Sequence, residues 1–265
     1  MDGYLKIIKS FICRLAMTIL AALSLPLWCA ASYAADSLHF VTEPFPPFNY
    51  DENGVATGPT VKIVREVCTR IKIECTFEIL PWRRAIMLAE QGKANGIFAI
   101  INTPDRAKIF YFSTPIVETA YSLYAMDASK FAYRTDGDLA GHTIGVYGPS
   151  GTSMTLDELV KAAPGAKVVT EIDTFSALRV LSSGGYGDEG LIFSNRDVTD
   201  LAIKSFNIKN LRKVADARKI LYCIAFSKKS VDAQLFKRFE ETLDIIMKDG
   251  TVKAILDKSN LKTPG

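Results

Sequence analysis

Gly96-Ile-Phe-Ala-Ile-Ile-Asn-Thr-Pro-Asp-Arg106 is the stretch whose reading decides the fold. Residues 96–101 are wholly apolar, the pattern of a short strand buried on both faces in a parallel sheet. Thr103 is a good N-cap and Pro104 suits the first helical position, so a helix starts straight after the strand. Free backbone N–H groups at a helix start favour an anion, and Arg106, one turn in, offers a planar fork that grips a carboxylate. The plain alternative is a surface arginine paired with Asp105 or Glu118, a contact of small value. Ligands of open α/β sheets bind outside the carboxyl ends of the strands, and that position favours the carboxylate site.

The same rhythm runs outward in both directions. Residues 38–42 and 75–80 read as strands, and 60–71 as an amphipathic helix with Val61, Ile63, Val64 and Val67 on one face. Residues 82–91 read as a helix closed by Gly92. This β-α-β-α-β order predicts a mostly parallel sheet flanked by helices. After an extended stretch near 109–127 the unit restarts, with strands at 143–147, 167–170 and 190–193 and helices at 152–162, 176–183 and 197–204. A short strand at 211–214, an apolar strand at 219–226 and helices at 231–248 and 252–258 complete the chain. The architecture repeats although no sequence repeat is visible. The reading is an α/β, two-lobed chain in which 127–221 is inserted into a lobe made of 35–126 and 222–265. Two hinge crossings join the lobes, and the strand ends face each other across one cleft.

Residues 1–34 read as a cleaved secretory signal: Lys6, Lys9 and Arg14, an apolar run, then Ser32-Tyr-Ala34 ahead of the cut. Pro26 and the short apolar runs argue against a membrane anchor. Of the formal charge of +3, Asp2, Lys6, Lys9 and Arg14 account for +2, so the exported chain is near neutral. No basic stripe suggests nucleic acid. Export permits disulfides, and Cys68 and Cys75 stand where a bridge would tie a helix to the next strand; two reduced core thiols are the alternative. Cys223 reads as a buried strand thiol. His39 and His142 stand alone, which argues against a metal site and against a Ser-His-Asp or Cys-His arrangement. No motif calls for a cofactor.

Thr103-Pro-Asp-Arg106, followed by Phe110-Tyr-Phe-Ser-Thr-Pro115, resembles the signature of the family 3 extracellular solute-binding proteins, the periplasmic polar amino-acid binders of ABC transporters. Thr42-Glu-Pro-Phe-Pro-Pro-Phe48 and Gln91-Gly-Lys-Ala-Asn-Gly96 are similar to other stretches of that family. Cys68 and Cys75 match the disulfide spacing of its lysine/arginine/ornithine- and histidine-binding members. The resemblance implies a type II periplasmic-binding-protein fold, a monomer without cofactor, and an ABC permease or membrane receptor as partner. It implies that Arg106 holds a ligand carboxylate, that Glu43 lies near the ligand's distal end, and that Phe45 and Trp82 form aromatic walls. Gly151-Thr152, opening a helix in the second lobe, would donate to the same carboxylate. Read from the residues alone, Phe45, Phe48, Tyr50, Trp82 and Tyr147 on loops at strand ends either stack on a planar or cationic ligand group or seal lobe contacts as ordinary packing.

Departures from the family pattern bear on the ligand. The positions that usually accept from an α-ammonium read Phe98-Ala-Ile-Ile101, with Asn102 the one polar residue there, and Ser194 or Asn195 replaces the usual aspartate. An α-ammonium buried without a counter-charge is costly, so either Glu43 takes that role or the ligand is not an ordinary α-amino acid. Arg83 and Arg84 oppose the dipole of the helix they open, so one of them facing the cleft would add a second anion contact. The expected function is capture of a small carboxylate for uptake, with no catalytic residue. A receptor's ligand sensor and a cyclohexadienyl-dehydratase-like enzyme, with Glu43 as its acid or base, are the alternatives.

Overall fold

The computed structural model describes residues 37–265; the signal read at 1–34 lies outside the described residues. The first half of the chain lays down β1 (Ser37–Thr42), a hairpin of β2 (Tyr50–Glu52) and β3 (Val55–Thr57), α1 (Pro59–Ile71), β4 (Glu74–Ile79), α2 (Trp82–Gln91), β5 (Gly96–Ile100), α3 (Pro104–Ile109), β6 (Phe110–Phe112) and β7 (Val117–Met126). Then come β8 (Thr143–Tyr147), α4 (Gly151–Leu159), β9 (Lys167–Glu171), α5 (Thr174–Ser182), β10 (Leu191–Asn195), α6 (Arg196–Ser205), β11 (Leu211–Ser227), α7 (Ala233–Lys248) and α8 (Thr251–Asp257).

β1 pairs in parallel with β4 and β5, and β8 pairs in parallel with β9 and β10. Each parallel triple is the core of one lobe. β5 is buried at every residue, as its apolar run requires. Antiparallel strands join the lobes: β11 pairs with β7 as far as Tyr222 and with β5 and β6 from Cys223 onward. The two strands read at 211–214 and 219–226 are therefore one, broken in pattern by register shifts at Lys213/Ala215 and Asp216/Arg218 that let one strand span both lobes.

β6, ending at Phe112, pairs with the last residues of β11, whereas β7, beginning at Val117, pairs with β10 and with the earlier part of β11, so the strand pairing shifts across the gap between them. Pro115 lies in that gap. At the start of β7, Glu118 is held by Lys219 at 2.6 Å and by Lys262 of the C-terminal tail.

Local chemistry sets the elements that reach the cleft. Gly58 precedes α1 at φ 107°, and a Cβ there would stand 2.5 Å from the Phe48 carbonyl oxygen. That carbonyl accepts from both the N–H and the hydroxyl of Thr60, which fixes the loop carrying Phe45 and Phe48. α1 ends at Lys72 in the left-handed region, and a Cys68–Cys75 disulfide ties it to β4. Cys223 is free and buried in β11. Phe40, Phe226 and Phe239 pack edge-on or tilted with centroids 4.7–6.2 Å apart, filling the first lobe beneath β5.

Candidate functional site

The carboxyl ends of both parallel triples open on one cleft, and the loops after β1 and β5 meet those after β8 there. Thr103 caps α3 by accepting from the Arg106 N–H at 3.3 Å, with Pro104 in the first turn. The Arg106 guanidinium donates to the Ile101 carbonyl at 3.2 Å and lies 5.5 Å from the centre of the buried Trp82 ring. The surface pairings open to Arg106 on sequence grounds are taken: Asp105 binds Lys108 at 2.7 Å, and Glu118 binds the two lysines at the hinge. Among the described residues no carboxylate lies within ion-pair distance of Arg106. Burial lowers its pKa, because the charged form loses hydration.

Across the cleft, Tyr147 at the end of β8 donates to a Glu43 carboxylate oxygen at 2.8 Å, linking the two lobes. Part of Glu43 reaches solvent, but its carboxyl is enclosed by protein, and burial pushes its pKa up to about 7 against the opposing Tyr147 bond. Phe45 stacks on Phe48 at 5.1 Å and meets Tyr222 edge-on at 5.7 Å. Ser150 caps α4 by accepting from the N–H groups of Thr152 and Ser153, so the Thr152 amide is already bonded and its hydroxyl is the group left for other partners. That hydroxyl faces Tyr121.

Glu43, Phe45, Trp82, Arg106, Tyr147 and Thr152 thus line one narrow inner cavity of ≈ 20 Å³. Asn102 and Ser194 do not. Asn102 is exposed, and Ser194 is buried beside Thr174, its hydroxyl oxygen 3.5 Å from that of Thr174. The neighbouring Asn195 is spent on capping α6 and on donating to the Tyr222 hydroxyl at 3.1 Å. Arg83 is exposed and borders a separate cavity of ≈ 300 Å³ on the other side of Trp82 and Arg106. Two residues absent from the sequence reading, Tyr121 of β7 and Tyr222 of β11, also line the inner cavity, and burial raises the pKa of both hydroxyls. Outside it, and sharing Glu43, Phe45, Trp82 and Tyr147, opens a larger cavity of ≈ 740 Å³.

The sequence profile of the bacterial extracellular solute-binding proteins, family 3, matches residues 38–261, nearly all of the described chain. The chain belongs to that family. This solute-binding protein is 24% identical over 241 residues to the amino-acid-binding protein AabA of Dichelobacter nodosus, covering 87% of this chain and 91% of AabA. Two solved structures share its fold. A histidine kinase sensor domain superposes with a TM-score of 0.76 at 22% identity, over 86% of this chain and 98% of that one. An ancestral arginine-binding protein bound to arginine gives 0.73 at 23% identity, over 84% and 98%.

Proposed function

We propose that this solute-binding protein captures a small carboxylate, an amino acid or a related compound, between its lobes in the periplasm and delivers it to an ABC permease. The observation that carries the reading is Arg106. Its guanidinium is partly desolvated, makes one hydrogen bond to protein among the described residues, and has no carboxylate there within ion-pair distance, Glu90 acting on it only from farther off. Burying a lone cation is costly, and a ligand carboxylate would supply the missing charge with two parallel bonds. The names of AabA and of the arginine-bound structure agree with such a ligand.

The test is thermal denaturation against amino acids, dicarboxylates, opines and aromatic acids. A ligand at about 100 times its Kd adds roughly 2.7 kcal/mol. The carboxamide of any hit is expected to add nothing, and equal stabilisation by acid and amide would sink the reading. Docking on a sensor receptor is the alternative fate, since a histidine kinase sensor domain shares the fold. One observation favours catalysis as a second reading: a Glu43 carboxyl poised at about 7 is where a general acid or base works best. Turnover of prephenate or arogenate that disappears in Glu43→Gln would replace binding with chemistry.

A further inference from the structure

We infer that the ligand's body is bulky and apolar, an aryl or branched-alkyl group seated in the outer cavity, with its carboxylate at Arg106; this rests on the carboxylate reading above. The inner cavity, at ≈ 20 Å³, has room for little more than one water, so only the anionic end of a ligand fits beside Arg106. Glu43, Phe45, Trp82 and Tyr147 line both spaces, so a ligand leaving Arg106 passes between them into the ≈ 740 Å³ outer cavity. That size is within the usual range for small-molecule sites.

The chemistry of the outer cavity is one-sided. Pro44 and Leu80 line it from the first lobe, and Phe175, Val198, Leu201 and Phe206 from the second. No cation is among its lining residues, so a second ligand carboxylate has nothing to pair with. Its acids each hold one bond: Asp173 accepts from the Ser176 N–H at 2.6 Å through Oδ1 as the cap of α5, and Glu43 accepts from Tyr147. An anionic or uncharged polar tail would lose hydration for few bonds, whereas an apolar one gains from every contact. At the mouth stand Ile172, 81% exposed, and Phe206, 58% exposed and packed 4.2 Å from Phe175. Apolar side chains in water at the rim of a cleft are what a large apolar ligand would cover.

Isothermal titration of the full chain with two matched pairs tests this: 3-phenylpropionate against propionate, and L-phenylalanine against L-alanine. In at least one pair the aryl acid is expected to bind roughly 30-fold tighter, the gain from burying a phenyl ring. Ala202→Trp, which sets an indole on the cavity wall of α6, is expected to shrink that ratio to about 3-fold or less. Arg106-dependent binding in which the aryl group gains nothing, or in which L-arginine or L-glutamate binds tighter than the aryl acids, overturns the apolar body and leaves the carboxylate reading standing. A ratio untouched by Ala202→Trp overturns the placement, as does silence of all four probes. Aryl-acid binding that survives Arg106→Ala overturns the carboxylate reading and this inference with it.

Discussion

Glu43 and Arg106 line the same cavity without forming an ion pair, and each pays for burial alone. For Glu43 the consequence is measurable without a ligand. Its carboxyl moves from an ordinary 4.5 to about 7 on folding, so the native chain holds a proton that the unfolded chain has lost between those values. Stability is therefore greatest below about pH 4.5 as far as this group is concerned, declines through the window, and levels off above about 7. The full difference is on the order of 3 kcal/mol. Glu43→Gln keeps an acceptor for Tyr147 and removes the charge. It is expected to raise stability by about 1–3 kcal/mol at pH 8 and to leave it nearly unchanged at about pH 4, below the window. Urea denaturation at the two pH values reads this directly, and an equal effect at both would refute the buried-carboxyl account. A cationic ligand group arriving at Glu43 would ionise it, so binding near pH 7 would release protons, seen as a dependence of the heat on buffer ionisation.

At the scale of elements, the disulfide and the long strands hold the lobes in shape. Cys68 and Cys75 are seven residues apart in sequence, so the bridge closes a short loop and is expected to contribute about 2.5 kcal/mol. Cys68→Ala/Cys75→Ala should lose that much in denaturant unfolding, and no loss would mean that α1 and β4 are tied by packing alone. How far the sequence could be read follows from the same elements. Gly96–Ile100 and the Thr103 cap were legible because burial and capping are local, and so were Arg106, Glu43 and Trp82 at the ends of local units. Tyr121 and Tyr222 were not. They sit inside β7 and β11, where buried residues on both faces hide which side meets the cleft. Asn102 was expected in the site for being the one polar residue near Arg106, but the turn into α3 points it to solvent. Ser194, expected in the site, is buried beside Thr174, and Asn195, the other residue standing for the family's aspartate, is consumed by a helix cap and a tyrosine, a demand that only the packed structure reveals. The pairing of β7 with β10 and β11 depends on long-range contacts, which periodicity does not encode. The Asn53-Gly54 turn of the β2–β3 hairpin, with both residues at positive φ, was a local signal that went unread.

For the whole molecule, the proposed capture of a ligand between the lobes requires the cleft to open and close. The lobes touch through the Glu43–Tyr147 bond and through Gly151, where a Cβ would stand 3.0 Å from Ile101 and 3.2 Å from the Tyr121 hydroxyl. Gly151→Val places a branched side chain in that contact and is expected to hold the cleft wider, weakening ligand binding about 10-fold or more. Small-angle scattering should show a larger radius of gyration for the variant with ligand than for the unmodified chain with ligand; equal radii and equal affinity would contradict it. Binding of the ligand's carboxylate by Arg106 is tested by calorimetric titration of the unmodified chain and of Arg106→Ala with the tightest acid from the stability panel. Removing one partner of a desolvated charge pair is expected to cost about 3–5 kcal/mol, a loss of roughly 100-fold or more in affinity. A Kd within about 3-fold of the unmodified value, less than 1 kcal/mol, would contradict the account.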